Sequence, residues 1–278
     1  MSDRVVFWYG CNVLRHGDII HSAIEVLRAA GVDTAPVGGP GYCCGNPKDA
    51  NLRAAEGMAV RTVEKFNALP EGKVVTWCPS CHRHMGSFMT QYQEANFSVA
   101  HITQVLHARQ DLLQSRMTHR VERRVVLHQH FGFREVDVNP LVRDLLRLIP
   151  GMEVLETDHA APGYMCSTLM AVPEAMKANT RRICEVANET GAEDVVTIFH
   201  SCQRLLCGLE ATEPFRVVNY ITLLAQALGY QHEDEFKQWK NAGSAEAVEA
   251  LIGTDRIERI GRQKFEQVLP DILRKPVC

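Results

Sequence analysis

The chain has 278 residues, of which 46% are hydrophobic and 23% are charged, and its formal net charge is -3. This composition is typical of a globular protein that is long enough for two domains of ordinary size. The small net charge gives no support for binding to nucleic acid or to a membrane surface through bulk electrostatics.

The hydropathy pattern and the N-terminal segment both favour a cytoplasmic protein. The longest strongly apolar run, near Val217–Leu228, is too short and too polar for a transmembrane helix. The N-terminal residues lack the apolar core and the small-residue cleavage site of a signal peptide. In a reducing compartment, the ten cysteines of the chain indicate metal binding or redox chemistry rather than a disulfide framework.

The first half of the chain has the pattern of a β-α-β unit. A β-rich run over 4–9 precedes the first cysteine, and Asp18 is expected to cap a helix that Gly31 closes. A second helix over about 50–68 leads to a β-rich run over 74–77, and a further helix is expected around 102–113. Cysteines follow both β-rich runs, at the strand ends where open α/β sheets place their sites.

The second half of the chain repeats the first. Residues 5–11 align with 125–131, residues 41–45 with 163–167, and residues 74–83 with 195–204, at offsets of 120, 122 and 121 residues. Three blocks that keep one displacement indicate an internal duplication, with helices expected from Asn139-Pro140 and over about 174–189. The predicted fold class is therefore α/β, with two similar Rossmann-like units at 1–119 and 120–230 and a helical C-terminal extension at 231–278.

Five cysteines of the first half form one spaced set: Cys11, Cys43, Cys44, Cys78 and Cys81. A lone C-x-x-C pair suits a zinc site or a thiol redox pair equally well. Two adjacent cysteines, in contrast, rarely ligate one tetrahedral ion but can reach different irons of a cluster. Five thiols also exceed the four that zinc or a cubane cluster takes from cysteine. The set therefore predicts an iron–sulfur site.

These residues resemble the cysteine-rich CCG domain found in the CCG-containing subunit of heterodisulfide reductase. The family pattern is a lone cysteine, then CCG, then C-x-x-C, usually in two copies. The first half matches this pattern in every cysteine and in Gly45, although its second spacing is slightly short, and the resemblance covers roughly residues 4–230. It implies that 1–119 is a complete CCG domain whose five cysteines hold one noncubane [4Fe–4S] cluster.

The second half departs from the family pattern. In place of five further cysteines the sequence has Phe131, Met165, Cys166, Phe199 and Cys202. Two thiols cannot hold a five-thiolate cluster, and the two phenylalanines are expected to fill the space with apolar bulk. We therefore expect a degenerate CCG domain over 120–230 and no second cluster. This departure is similar to the CCG-domain paralogues in the heterodisulfide reductase-like complexes of sulfur-oxidising organisms.

The candidate catalytic residues all belong to this degenerate site. They are Cys166, Cys202, His130 and His200, with His128 beside them. The histidines are expected to bind a metal, to protonate a leaving sulfur near neutral pH, or simply to line a solvated surface. The two cysteines are either vestigial packing residues or a thiol pair that binds substrate.

Further residues near the cysteine motifs have expected supporting roles. His82 and His84 follow the C-x-x-C pair, where they either donate hydrogen bonds to a cluster sulfide or begin a solvated helix. Trp8 and Trp77 flank the cluster cysteines and are expected to shield the cluster from water.

The remaining cysteines and one apolar stripe are not expected to take part in metal binding or catalysis. Cys184 and Cys207 are expected in the core, and the terminal Cys278 is expected to be an exposed free thiol. The stripe within 215–228 is a candidate docking helix for a partner subunit, although such stripes more often face a protein core.

The resemblance implies an oxidoreductase subunit that moves electrons to or from a disulfide or carrier-bound sulfur substrate near the degenerate site. Implied partners are the flavin-containing subunit and the ferredoxin-like subunit of such a complex. A second CCG-domain paralogue and a sulfur-carrier protein are further candidates. Two alternatives stay open: the iron–sulfur subunit of a flavin-dependent hydroxyacid or succinate dehydrogenase, and a zinc-binding structural module.

Overall fold

The computed structural model describes residues 3–45, 51–274 and 276. A four-stranded and a five-stranded parallel sheet, each surrounded by helices, are followed by a set of C-terminal helices. The α/β prediction is therefore confirmed. Cys278, predicted to be an exposed thiol, lies outside the described residues.

The first sheet belongs to residues 3–101 and has the strand order β2-β1-β3-β4, with all neighbours parallel. Its strands are β1 Asp3–Gly10, β2 Val32–Gly38, β3 Lys73–Thr76 and β4 Ser98–His101. The helices around it are α1 Gly17–Ala29, α2 Leu52–Asn67, α3 Pro79–His84, α4 Thr90–Tyr92, α5 Ile102–His107 and α6 Gln110–Ser115. A π-helical stretch, Met85–Met89, joins α3 to α4.

The second sheet repeats this order with β6-β5-β8-β9, again all parallel, and a short strand β7 pairs with the end of β5. Its strands are β5 Arg123–His130, β6 Met152–Leu155, β7 Ala160–Ala161, β8 Asp194–Thr197 and β9 Arg216–Asn219. The accompanying helices are α7 Val138–Arg147, α8 Cys166–Leu169, α9 Pro173–Thr190, α10 His200–Leu206 and α11 Tyr220–Ala227. Equal strand order in both sheets agrees with the duplication inferred from the three aligned blocks.

The central strands are buried on both faces because helices cover both sides of each parallel sheet. This explains the unbroken apolar run Val5, Val6, Phe7 and Trp8 in β1, and its counterpart Val125, Val126 and Leu127 in β5. Alternation of apolar and polar residues, the mark of a half-exposed strand, is correspondingly absent from these two runs.

One local prediction was wrong, and one open alternative is decided by the structure. Asp18 does not cap α1; His16 occupies the N-cap without a side-chain hydrogen bond, and Asp18 lies buried in the first turn. The apolar stripe of 215–228 forms β9 and α11, and the apolar side chains of α11 are buried. Since α11 packs against α1 of the first half, the stripe belongs to the core, which is the use that such stripes more often have.

The C-terminal extension is helical, as expected. It contains α12 Glu235–Asn241, α13 Ala245–Ile252, α14 Thr254–Ile260 and α15 Arg262–Leu273. α12 packs against α15 and against the 3-10 helix Cys207–Ala211. Cys207 and Cys184 are both buried, in agreement with their expected place in the core. Over 3–45, 51–274 and 276, no helix has the length and apolar character that crossing a bilayer requires.

Candidate metal centres at the strand ends

Both groups of cysteines lie at the carboxyl ends of the central strands. In the order β2-β1-β3-β4 the chain passes from β1 to β2 on one side and from β3 to β4 on the other side. Open parallel sheets form a crevice at such a switch point, which here lies between β1 and β3. Cys11 follows β1 directly, and Cys78 lies just beyond β3 at the start of α3. Cys81 projects from α3, whereas Cys43 and Cys44 follow a 3-10 turn after β2.

The five thiols of the first half come together in this crevice. Cys11 Sγ lies 3.8 Å from Cys43 Sγ. Cys81 forms side-chain contacts with both Cys44 and Cys78. Cys11 in turn lies close enough to Cys43, Cys44 and Cys78 for its charge to interact with theirs. The spacing of the sequence thus predicted a set of residues that the fold does bring to one place.

The electrostatics of the crevice favour unequal ionisation of its thiols. The Cys81 thiol, helped by backbone N–H groups of Cys81 and Ser80, lowers the pKa of Cys78 to about 7 against the opposing effect of burial. The hydrogen bond to Cys43, together with burial, raises the pKa of the Cys11 thiol. A low thiol pKa is typical of cysteines that bind metals, because the thiolate is the ligand.

Small residues keep the space beside the thiols open. Gly10 has φ +82°, and a Cβ built on it would lie 3.6 Å from Cys81 Sγ. Gly45, which completes the CCG triplet, has φ +79°. Both residues therefore adopt a backbone conformation that favours glycine, but only at Gly10 would a Cβ approach a thiol, since a Cβ on Gly45 would meet Ala55 and Met58 of α2.

Aromatic residues and histidines form the walls of this site. Trp8 is fully buried and its Nε1 donates to the carbonyl oxygen of Tyr42 at 3.0 Å. Trp77 is also buried, as expected for a shielding residue. His82 Nδ1 lies 3.2 Å from Thr76 Oγ1, so this ring binds the strand end next to the site.

A cavity of about 240 Å³ adjoins the cysteine crevice. Cys44 and His84 line it, and the rest of its wall is apolar, formed by Leu52, Ala55, Ala59, Phe88, Met89 and Tyr92. A larger cavity of about 470 Å³ lies between α9, α10 and the C-terminal helices, and no cysteine of the described residues lines it. The smaller cavity is therefore the candidate ligand site, because the thiol of Cys44 lines it.

The second half gathers two histidines and two cysteines at the corresponding strand ends. His128 Nε2 lies 3.2 Å from Cys166 Sγ. His130 Nε2 lies 3.5 Å from Cys166 Sγ and 3.4 Å from Cys202 Sγ. All four side chains are fully buried, and their ligand atoms lie within 4.8 Å of one another. We call His128, His130, Cys166 and Cys202 the tetrad.

Each histidine of the tetrad has a second contact on its outer nitrogen. His128 Nδ1 lies 3.3 Å from His159 Nε2, and His130 Nδ1 lies 3.2 Å from the carbonyl oxygen of Pro162. Burial lowers the pKa of His128 and lowers that of His159 to about 4, so both rings are neutral at physiological pH.

The cysteines of the tetrad also accept hydrogen bonds. The backbone N–H of Cys166 donates to Cys202 Sγ at 3.4 Å, and Asn179 Nδ2 donates to Cys166 Sγ at 3.8 Å. Burial raises the pKa of Cys202, but contacts with the Cys166 thiol and with the His128 and His130 rings outweigh this effect and hold the pKa well below its usual range.

The side chains around the tetrad differ in part from those expected in the second half. Phe199 is buried against His130, as predicted, but Phe131 is 74% exposed and fills no space there. His200 begins α10 outside the tetrad, and His16 and Arg204 are among the groups near it. Sequence reasoning missed the outer residues His159 and Asn179, since neither belongs to an aligned block.

Comparisons with known proteins support a metal-binding first half. Residues 5–86 match the family model of the CCG cysteine-rich domain. No curated protein matches the chain. An aspartate racemase homologue from Pyrococcus horikoshii OT3 aligns with 82% of this chain and 97% of its own at 9% identity, with a TM-score of 0.35. At that TM-score the similarity supports no statement on fold or function.

Proposed function

We propose that this chain is the iron–sulfur redox subunit of a heterodisulfide reductase-like complex. It would hold one noncubane [4Fe–4S] cluster through Cys11, Cys43, Cys44, Cys78 and Cys81. The observation that carries the proposal is the convergence of these five thiols in the half of the chain that matches the CCG domain.

The donor set of the crevice fits such a cluster better than a single ion. A zinc ion takes four ligands, so one of the five thiols would be left over in a largely buried site. Cys43 and Cys44 are neighbours in the chain but contact different thiols, Cys11 and Cys81 respectively. Adjacent cysteines with separate contacts are suited to ligating separate irons.

The cavity beside Cys44 is the proposed place for the sulfur substrate. When bound, the cluster supplies electrons one at a time and an iron that can exchange a sulfur ligand. The chain itself supplies an apolar wall, whose partly exposed residues Leu52, Phe88 and Tyr92 leave the cavity open to a ligand, and the buried His84 is the polar group of the wall. A disulfide or a carrier-bound sulfur chain has the apolar, elongated form that such a cavity accepts.

The sequence-based expectation put the substrate near the degenerate site instead. All four members of the tetrad are fully buried, which leaves a substrate no contact with them. The first-half cavity is therefore the better location. We propose that the partners are a flavin-containing subunit and a ferredoxin-like subunit that exchange electrons with the cluster, with a second CCG-domain paralogue or a sulfur carrier as further components.

Anaerobic purification followed by iron and sulfide analysis tests the ligand assignment. The intact chain should contain about four irons and four sulfides, and Cys44→Ser should lose or convert the cluster. Cys207→Ser is the matched control, since Cys207 is also buried and its thiol contacts the carbonyl oxygen of Arg204, away from the crevice. Iron-free intact protein, or Cys44→Ser with unchanged iron and spectrum, would contradict the assignment.

The sulfur chemistry is tested by single-turnover oxidation. Dithionite-reduced protein, freed of excess reductant, should be reoxidised by a soluble disulfide, with two reduced clusters and two protons consumed for each disulfide that is cleaved to two thiols, as followed in the visible absorption of the cluster. Narrowing the cavity with Ala59→Phe should slow this step without changing the iron content, because Ala59 is buried in the cavity wall. Equal rates in both proteins would place the substrate elsewhere.

A further inference from the structure

The tetrad has the dimensions of a tetrahedral ion site. With Zn–S of about 2.3 Å and Zn–N of about 2.0–2.1 Å, a sulfur and a nitrogen on one zinc ion lie about 3.6 Å apart. The three sulfur–nitrogen distances measured in the tetrad are 3.2, 3.5 and 3.4 Å. Two nitrogens and two sulfurs at such distances form a ligand set that is typical of zinc or of an iron–sulfur centre.

The orientation of the two histidines favours a metal ligand over ordinary core packing. Both rings direct Nε2 inward to the thiols and Nδ1 outward to an acceptor, His159 Nε2 for one and the Pro162 carbonyl for the other. A ring that donates its Nδ1–H outward has its Nε2 lone pair free for a metal, and this outer contact is the usual companion of a metal-bound histidine. Both histidines of the tetrad therefore have the orientation expected of metal ligands.

Hydrogen-bond donors also face both thiols. The N–H of Cys166 and the Asn179 amide both point hydrogens at the sulfurs, which stabilises thiolate charge inside the protein. Two thiolates without a cation would leave negative charge in a fully buried place, at a large desolvation cost. A divalent cation between them removes this cost.

Other uses of the four residues fit the geometry less well. In a Rieske [2Fe–2S] cluster two histidines bind one iron and two cysteines the other, so nitrogen and sulfur lie on opposite sides of the cluster. In the tetrad, nitrogens and sulfurs are direct neighbours instead. A catalytic thiol–histidine pair needs a route for substrate, and the tetrad has no exposed member.

The internal repeat shows how one kind of site can replace the other. By the alignment, His128 and His130 occupy the places of Trp8 and Gly10, and Cys166 and Cys202 those of Cys44 and Cys81. A Cβ built on Gly10 would lie 3.6 Å from Cys81 Sγ, and the His130 ring at the aligned position reaches Cys202 Sγ at 3.4 Å. The imidazole of His130, at the position where the first half has glycine, fills part of the space that a cluster needs and leaves room for one ion.

We propose that the second half of the chain binds one zinc ion in a closed site formed by His128, His130, Cys166 and Cys202. Four protein ligands leave no open position, so the ion stabilises the second sheet and takes no part in catalysis. His130, Cys166 and Cys202 then leave the group of candidate catalytic residues. The proposal is independent of the cluster in the first half.

Element-specific analysis of the anaerobically purified full chain is the primary test. The protein should contain about one zinc ion per chain, and zinc-edge X-ray absorption should give two sulfur and two nitrogen ligands near the distances of a closed site. Absence of zinc, even after incubation with zinc chloride, overturns the proposal. Zinc with four sulfur ligands overturns it too, and also contradicts a cluster at the five cysteines.

Variants locate the ion within the chain. Cys166→Ser and His130→Asn should lose zinc and keep iron, whereas Cys44→Ser should lose iron and keep zinc. Cys207→Ser and His200→Asn are matched controls, because both residues are buried in the same half outside the tetrad and their variants should keep both metals. Zinc retained in both tetrad variants would overturn the proposal.

An outer-contact variant keeps the test decisive if the ligand variants fail to fold. His159→Phe removes the acceptor for His128 and preserves all four ligands. Zinc should then pass to a chelator at about 10- to 100-fold lower chelator concentration than in the unaltered chain. Unchanged competition would contradict the assigned orientation of His128 and with it the site.

Discussion

Asp18 is a buried carboxyl group with an unfavourable environment. It lies in the first turn of α1, where burial and then the nearby Asp234 raise its pKa to about 8. His16 also contributes to this polar group, and Lys237 opposes the shift. Between about pH 4 and pH 8 the folded chain therefore keeps a proton that the unfolded chain has released, and the free energy of unfolding falls as the pH rises through this window.

We expect Asp18→Asn to remove this pH dependence. The amide has the shape of the protonated acid and cannot ionise, so the melting temperature of the variant relative to that of the original chain should rise steadily from pH 5 to pH 8, by several degrees in all. Anaerobic thermal melts across this range measure the difference. Asp111→Asn, an exposed aspartate in the first turn of α6, is the control and should show no such trend. A constant offset at every pH would contradict the assigned ionisation.

For single residues, the sequence predicted which side chains come together better than it predicted the direction in which a side chain points. The cysteines that come together in the first half follow strand ends, and parallel topology brings strand ends to one edge. The direction of Phe131 was wrong because β7 pairs with the end of β5 and the chain then turns outward. A one-residue difference at a strand end moves a side chain to the opposite face.

Among the structural elements, the turn after β1 sets the distance between backbone and thiols. Gly10 has φ +82°, which costs a residue with a Cβ about 1–2 kcal/mol. The added methyl group of Gly10→Ala would also lie 3.6 Å from Cys81 Sγ, in the space that a cluster needs. We expect this variant to lose about 1 kcal/mol of stability and most of its iron, as measured by urea unfolding and iron analysis.

Gly253 supplies the control for this prediction. It joins α13 to α14 with φ +85°, and a Cβ built there meets no atom of the described residues within 4 Å. Gly253→Ala should therefore lose a similar amount of stability and retain its full iron content. If both alanine variants kept their iron, the space next to Gly10 would have no part in cluster binding.

The predicted elements agree with the structure where periodicity was strong. The second helix of each half, expected over about 50–68 and 174–189, is observed as Leu52–Asn67 and Pro173–Thr190. The helix expected around 102–113 is divided into α5 and α6. The sequence could not decide whether the stripe within 215–228 contacts a partner or the core, because an apolar helix face has the same pattern in both cases.

For the whole molecule, the duplication was the most informative feature of the sequence. Three aligned blocks predicted two similar units, and the sheets β2-β1-β3-β4 and β6-β5-β8-β9 have one topology. The alignment also located the tetrad cysteines. It could not supply His159, which lies between β6 and β7 and reaches His128 only through tertiary packing. Contacts of that kind depend on the path of a loop, for which the sequence carries no periodic signal.

The two halves meet through an aromatic stack next to the cysteine crevice. The Trp77 ring, beside Cys78, lies parallel to the Tyr220 ring at the start of α11, with 5.8 Å between centroids and 4° between planes. Both side chains are buried. Such a pair contributes about 0.5–1.5 kcal/mol beyond the area it buries. If the halves unfold as one body, this coupling should appear in the stability of the full chain.

A double-mutant cycle with Trp77→Leu and Tyr220→Leu measures that coupling. Urea unfolding of the four proteins should give an interaction free energy of about 1 kcal/mol, because each single replacement removes the same stack. Tyr164 stacks on Phe133 instead, so a cycle of Tyr220→Leu with Tyr164→Leu should be additive within about 0.5 kcal/mol. If the effects of Trp77→Leu and Tyr220→Leu on the free energy of unfolding simply added, the stack would not couple the stabilities of the two halves.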